Sequence, residues 1–231
     1  IHKDKTPKVR ICLVQCRPQS YRAESPVESI PQEIEEADKV IRTHSTVSDG
    51  RVDDINLIVM VPLDKYEALA DPVKKNAIGR VIGRLNQALQ GKSFILIGPH
   101  RWGSNNPDLG IKVTYADVYN SKMLVELVPS SDSESGEPSY GTHFFQDLVE
   151  ANIFPLAITL DGKKGFFRNY HFAHAPNLLA QLSPQDANFA DVVQVYNVPD
   201  NCGGKTLTVV MDASSEEALG FLTGASNSLS L

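Results

Sequence analysis

Cysteine, basic residues in excess and long apolar runs are all scarce in this chain, and each scarcity removes a class of protein. The three cysteines, Cys12, Cys16 and Cys202, are odd in number and lack C-x-x-C spacing, which argues against a disulfide scaffold or a thiolate metal cluster. Cys12 and Cys16 fall four apart in a run that reads as a strand, on one face yet too far apart to bridge easily. All three are expected to be reduced thiols of a cytoplasmic protein. No apolar run approaches the roughly 20 residues that a bilayer-crossing helix needs, so no membrane partner is expected. With 22 Lys+Arg against 28 Asp+Glu the net charge is −6, which supplies no field to attract nucleic acid. Gly-x-Ser-x-Gly is absent, and Gly203-Gly204-Lys205-Thr206 lacks the leading glycine of a phosphate-binding loop; that segment reads as a hairpin turn. An initiating methionine is missing as well, and the chain is expected to be an excised C-terminal portion of a longer polypeptide.

What is present is ordinary for a globular chain: 231 residues, 42% hydrophobic and 22% charged, enough for a substantial core in one domain or two small ones. Residues 9–16 read as a strand, and residues 17–31, with their Pro and Ser, as a connector. Residues 31–43 place Ile34, Ala37, Val40 and Ile41 at helical spacing. Residues 55–61 are short, apolar and β-branched, which predicts a buried strand. The clearest helix follows, with Asp71 as N-cap, Pro72 at its first position, a stripe of Val73, Ala77, Ile78, Val81, Ile82, Leu85 and Leu89, and Gly91 closing it. Gly79 and Gly83 inside it cost about 1 kcal/mol each relative to Ala, which predicts close packing against another element.

Residues 93–98 and 122–128 read as further buried strands, and the Ser-, Asp- and Glu-rich residues 129–138 as an exposed loop. A helix over 143–152 feeds a strand over 154–160. Further on come a short helix near 177–182, strands over 191–198 and 205–211, and a helix over 214–222. Strands alternating with helices predict an α/β fold, a layered mixed sheet with flanking helices.

Four features bear on chemistry. His143 stands at a loop-to-helix junction after Gly141 and Thr142, where free backbone N–H groups and the positive end of the helix dipole favour a phosphoryl group. It reads either as a nucleophilic carrier, with Thr142 as N-cap, or as a histidine that merely caps its helix. The loop Gly98-Pro-His-Arg101-Trp102-Gly-Ser104 reads as an anion clamp, or as a turn in which Trp102 covers a core edge and Arg101 pairs with a carboxylate. Arg80 and Arg84, one turn apart, read as a solvated face. His171 and His174 lack acidic or thiol residues at a supporting spacing, and no metal site is expected.

Two segments resemble the pyruvate phosphate dikinase and phosphoenolpyruvate synthase family. Gly141-Thr142-His143, the helix after it and Ile153-Phe-Pro-Leu-Ala-Ile158 are similar to the family's swivelling phosphohistidine domain, in which a small-Thr/Ser-Ser/Cys-His element precedes a helix and Ile-Pro-Ala-Val-Val. Bulky Phe144 and Phe145 depart from the small alanines found there. Ile11-Cys-Leu-Val-Gln15-Cys-Arg17-Pro18 resembles the closing strand of the family's ATP-grasp domain, although the acidic partner expected upstream is replaced by Lys3 and Asp4. The segments Leu96-Ile-Gly-Pro-His-Arg101-Trp102-Gly-Ser-Asn-Asn-Pro-Asp-Leu-Gly-Ile111 and Ser139-Tyr-Gly-Thr-His143-Phe-Phe-Gln-Asp-Leu148 also resemble dikinase-related proteins; the likeness covers roughly residues 8–20 and 93–160.

The resemblance implies that residues 1–25 are the last strand and linker of a truncated ATP-grasp domain. Residues 26–231 form the α/β domain, 26–160 being family-like and 161–231 a C-terminal extension, with a swivelling phosphohistidine-like β/β/α unit. It implies a kinase-type transferase in which His143 carries phosphate from the ATP-grasp domain to a small-molecule acceptor. By the same resemblance Gln15 and Arg17 reach nucleotide; Arg101, Trp102, Ser104, Gly141 and Thr142, read from their own chemistry, are the residues expected to hold the anion. ATP and Mg2+ would serve the intact protein, with no cofactor expected in this fragment. The competing reading is a non-catalytic ligand-binding or regulatory domain attached to the ATP-grasp part.

Overall fold

Strands that are apolar on both faces must be covered on both faces, and that requirement organises this molecule. The computed structural model describes residues 29–46, 48–130, 143–162 and 165–224. In chain order the elements begin with β1 (Lys39–Thr43), β2 (Gly50–Ile55), β3 (Leu57–Met60), α1 (Leu63–Glu67), α2 (Pro72–Ala88) and β4 (Phe94–Pro99). Then come β5 (Arg101–Trp102), β6 (Gly110–Ile111), β7 (Met123–Pro129), α3 (His143–Glu150), β8 (Phe154–Leu160) and β9 (Phe166–Phe167). Last are α4 (Leu179–Leu182), β10 (Gln194–Asn197), α5 (Val198–Asn201), β11 (Lys205–Asp212) and β12 (Glu217–Gly224).

The strands form two five-stranded sheets, of order β2-β11-β12-β1-β9 and β10-β3-β4-β7-β8, with β5-β6 as a separate pair. In the first sheet every pairing is antiparallel. In the second, β3, β4, β7 and β8 are parallel and β10 runs antiparallel to β3. The alternation of side chains sorts the core into layers. Val209 and Met211 of the first sheet join Ile95, Ile97 and Val125 of the second in one apolar layer between the sheets. Val59, Leu96 and Leu124 face the other way, onto Ile78, Ile82 and Leu85 of α2 and Leu148 of α3. The order is therefore sheet, sheet, helices, an α/β layered fold. The outer face of the first sheet carries Val210, Leu219 and Phe221, against which Ile30 and Ile34 pack.

The helix over residues 72–88 begins where the sequence predicts. The Asp71 carboxylate accepts the Val73 N–H at 2.8 Å, and Pro72 occupies the first turn. Gly91, at φ 77°, follows it. Its stripe starts later than expected, because Val73 is 69% exposed. The two internal glycines are explained by the segment after β6: a Cβ on Gly79 would lie 1.9 Å from the Lys112 carbonyl oxygen, and one on Gly83 2.6 Å from Asp117.

Three expectations are corrected. Residues 31–43 form a short 3-10 turn over Glu36–Asp38 and then β1, not a helix. Val40, Ile41 and Thr43 are β-branched, and the pairing of β1 with both β12 and β9 outweighs a four-residue helical pattern. Residues 214–222 are also not helical. Asp212 accepts the N–H groups of Ser214 and Ser215, Glu216 sits at φ 57°, and the chain turns back as β12 against β11. Finally, Gly203 and Gly204 are left-handed turn residues, at φ 62° and 81°, but they join α5 to β11 and close no hairpin. Residues 161–224 supply β10 to one sheet and β9, β11 and β12 to the other. Among the described residues no helix is long and apolar enough to cross a membrane.

Candidate functional site at the carboxyl edge of the parallel strands

Parallel strands joined by a crossover force the connecting helix to run back along them, so its N-terminus opens at their carboxyl edge. That edge is where α/β sheets commonly receive ligands. Here α3 joins β7 to β8, and His143 is its first residue and exposed. Phe144 and Leu148, four apart, and Ala151 form the face that packs on the sheet. His143 projects from the solvent side of that turn.

The Arg101 loop leaves the same edge from β4. Its course is fixed by backbone pairing of β5 with β6, in which the Arg101 N–H donates to Leu109 at 3.2 Å and the Gly103 N–H to Ile111 at 2.9 Å. Gly110, at φ 146°, has to be glycine: a Cβ there would lie 1.9 Å from the Arg101 carbonyl oxygen. Tyr66 reinforces the loop from α1, its buried hydroxyl lying 2.8 Å from the Pro107 carbonyl and 2.7 Å from that of Gly110. Burial, and then the nearby Asp108 charge, push the Tyr66 phenol well above its ordinary pKa, so it remains a donor. The loop and α3 meet at Gly103 and Phe144, where a Cβ on Gly103, itself at φ 82°, would stand 2.8 Å from the ring.

The loop residues divide in role. Trp102 is 3% exposed, its indole N–H donates to Val125 at 3.0 Å, and its backbone N–H donates to Glu126 at 3.1 Å, so it anchors the loop to β7. The Ser104 hydroxyl donates to the Asn106 carbonyl at 2.8 Å and accepts the Asn106 N–H at 3.1 Å, closing a local turn. Arg101 is half-buried. His100, at φ 52°, brings its Nε2 to 3.2 Å from the Glu67 carboxylate. Gln15, Arg17, Gly141 and Thr142 lie outside the described residues.

Glu126 is the residue that the sequence reading missed. It is a carboxylate 7% exposed in the middle of β7, on the helix-facing side. Together with Trp102, Phe144, Phe145 and Leu148 it lines a narrow cavity directly beneath the meeting of loop and helix. A charge in the centre of the apolar run Met123-Leu-Val-Glu126-Leu-Val is the signal that was available, since burial of an ionisable group is costly unless it is used.

Elsewhere, Arg84 is not merely solvated. It grips the buried Asp186 carboxylate in a two-pronged pair, 2.7 Å from its Nε. His171 lies 3.1 Å from the Ala37 carbonyl oxygen, and among the described residues no group of three or more His, Cys, Asp or Glu is placed to hold a metal ion. Cys202 is half-buried, and desolvation pushes its thiol above the ordinary range. No protein-family model, curated protein or solved structure matches the chain.

Proposed function

We propose that this chain is the phosphoryl-accepting part of a dikinase-related phosphotransferase, with His143 as the carrier. The observation that carries the reading is an exposed histidine on the first turn of α3, at the carboxyl edge of four parallel strands, with the Arg101 loop seated against the neighbouring Phe144. The unprotonated ring nitrogen attacks the phosphorus of a phosphoryl donor. The bond from phosphorus to the leaving oxygen breaks, its electron pair departs on that oxygen, and the other ring N–H loses its proton to solvent. The backbone N–H groups and dipole of the helix terminus stabilise the anionic product, and the guanidinium of Arg101 adds a bidentate cation. Gln15 and Arg17 would belong to the nucleotide end of the reaction, where ATP and Mg2+ bind to an upstream ATP-grasp domain, and the last acceptor is a small molecule. A cytoplasmic location is part of the same proposal, and the lack of a long apolar helix among the described residues is compatible with it.

A second reading, a non-catalytic ligand-binding or regulatory domain on the same ATP-grasp part, is favoured by one observation: Trp102 and Ser104 are both taken up by structural contacts, Trp102 with Val125 of β7 and Ser104 with Asn106 in the loop. The two are separated by treating the chain with phosphoramidate, a small phosphoryl donor specific for imidazole. The carrier reading predicts an acid-labile phosphate on His143, absent in His143→Asn and slowed roughly ten- to a hundredfold in Arg101→Ala, since a charge-assisted contact is worth about 1.5–3 kcal/mol. Equal labelling of all exposed histidines at one rate would instead favour the regulatory reading.

A further inference from the structure

A second depression opens on the same carboxyl edge, at the opposite flank of the sheet. It has a volume of about 240 Å³ and lies beyond the end of β3, where Pro62 leads into α1 and β10 begins. That is far more than one water needs, and on the scale of a small metabolite. Its floor is apolar: Met60 and Phe172 are 5% and 2% exposed. The Phe172 ring lies stacked on that of Tyr196, centroids 5.4 Å apart.

Its walls are polar and of both signs. Asp64 and Lys65 come from the first turn of α1, and Asn169 and Gln194 from the segments opposite. The Tyr196 hydroxyl donates to Gln194 Oε1 at 2.7 Å, which fixes that amide and leaves its NH2 to donate. Burial raises the Tyr196 phenol above its ordinary pKa, so the hydroxyl keeps its proton at neutral pH. Asp64 and Lys65 have no side-chain partner among the described residues, whereas the cations Lys75, Arg84, Arg168 and Lys205 are each held in an ion pair.

We infer that this depression binds a small zwitterion of the free α-amino acid class. Lys65 and the two amide NH2 groups meet the carboxylate, Asp64 meets the ammonium, and the side group rests on Met60 and Phe172. The pairing uses each wall group once and covers an apolar floor that would otherwise face water. It does not depend on His143, which belongs to the β7–β8 flank.

Calorimetric titration of the chain with L-leucine and L-phenylalanine tests it, alongside isopentylamine and 4-methylpentanoate as analogues lacking one charge. Binding of an amino acid is expected, with each analogue at least about tenfold weaker, because each leaves one wall charge unmatched. Lys65→Ala and Asp64→Ala, both at exposed positions, should weaken binding about tenfold without altering the circular dichroism spectrum, and Lys74→Ala should leave it unchanged. No binding of either amino acid at about 1 mM overturns the inference, as does equal binding of the acid or amine analogue, or wild-type affinity in both wall variants.

Discussion

Asp186 is 2% exposed, and its ionisation is sustained by three contacts from two side chains: two from the Arg84 guanidinium and one from the Ser183 hydroxyl. Arg84, first among the causes, holds the carboxyl below its ordinary pKa, with Ser183 assisting against desolvation. A depressed folded pKa means that the stabilisation is whole above the unfolded value, near 4, and is lost as pH falls towards the folded one. Thermal melts should therefore show an acid-side loss of stability that is smaller in Asp186→Asn. Arg84→Ala, which leaves the buried carboxylate with only the serine, should cost about 2–4 kcal/mol in denaturant titration at neutral pH, whereas exposed Arg80→Ala should stay within about 0.5 kcal/mol. The sequence displayed Arg80 and Arg84 as an equivalent pair one turn apart. What separates them is a partner 102 residues away, and no local pattern carries that information.

At the scale of the element, α2 and β12 show what local reading can and cannot reach. The start of α2 was legible because an Asp-Pro pair and its first-turn hydrogen bond are local chemistry. Its glycines were legible as a demand for space, though not as a demand made by Lys112 and Asp117. Gly79→Ala is thus expected to destabilise by about 1–3 kcal/mol in chemical denaturation, reversing the gain of about 1 kcal/mol that helix propensity alone would give. The last strand was misread because Ser-Ser-Glu-Glu-Ala-Leu has good helix chemistry. Eight paired positions along β11 decide otherwise, and pairing is a tertiary fact. Where the Arg101 loop meets α3, Gly103→Ala should push the Phe144 ring away and shift the first turn of the helix. Aromatic proton chemical shifts of Phe144 would register this, and unchanged shifts would mean that the loop and helix are not coupled there.

At the scale of the whole molecule, the layered α/β class was legible from alternating strands and helices, but the number of sheets was not. Two sheets of five strands arise because residues near the two ends of the described chain meet: β1 pairs with β12, and β2 with β11. Residues 161–224 are accordingly integral to both sheets. A chain ending at residue 160 would lose β11 and β12 from the centre of the antiparallel sheet and expose the layer built on Val209 and Met211. Such a chain is expected to show no cooperative unfolding transition by calorimetry, and a sharp transition would mean that the residues before 161 fold alone. The candidate site divides in the same way. His143 and Arg101 were legible as residue types at strand and helix ends. Glu126 beneath them was hidden within an apolar run, and Trp102 and Ser104 became loop anchors once the fold was formed.

The proposed phosphoryl-carrier role of His143 is tested most directly by incubating the chain, joined to the ATP-grasp domain that the proposal requires, with ATP labelled at the β or γ phosphate and mapping any acid-labile label by peptide mass spectrometry at alkaline pH. A carrier histidine gives stoichiometric label on His143, none in His143→Asn, and a variant whose melting temperature stays close to the parent's because the position is exposed. Label on another residue, or full turnover retained by His143→Asn, would contradict it.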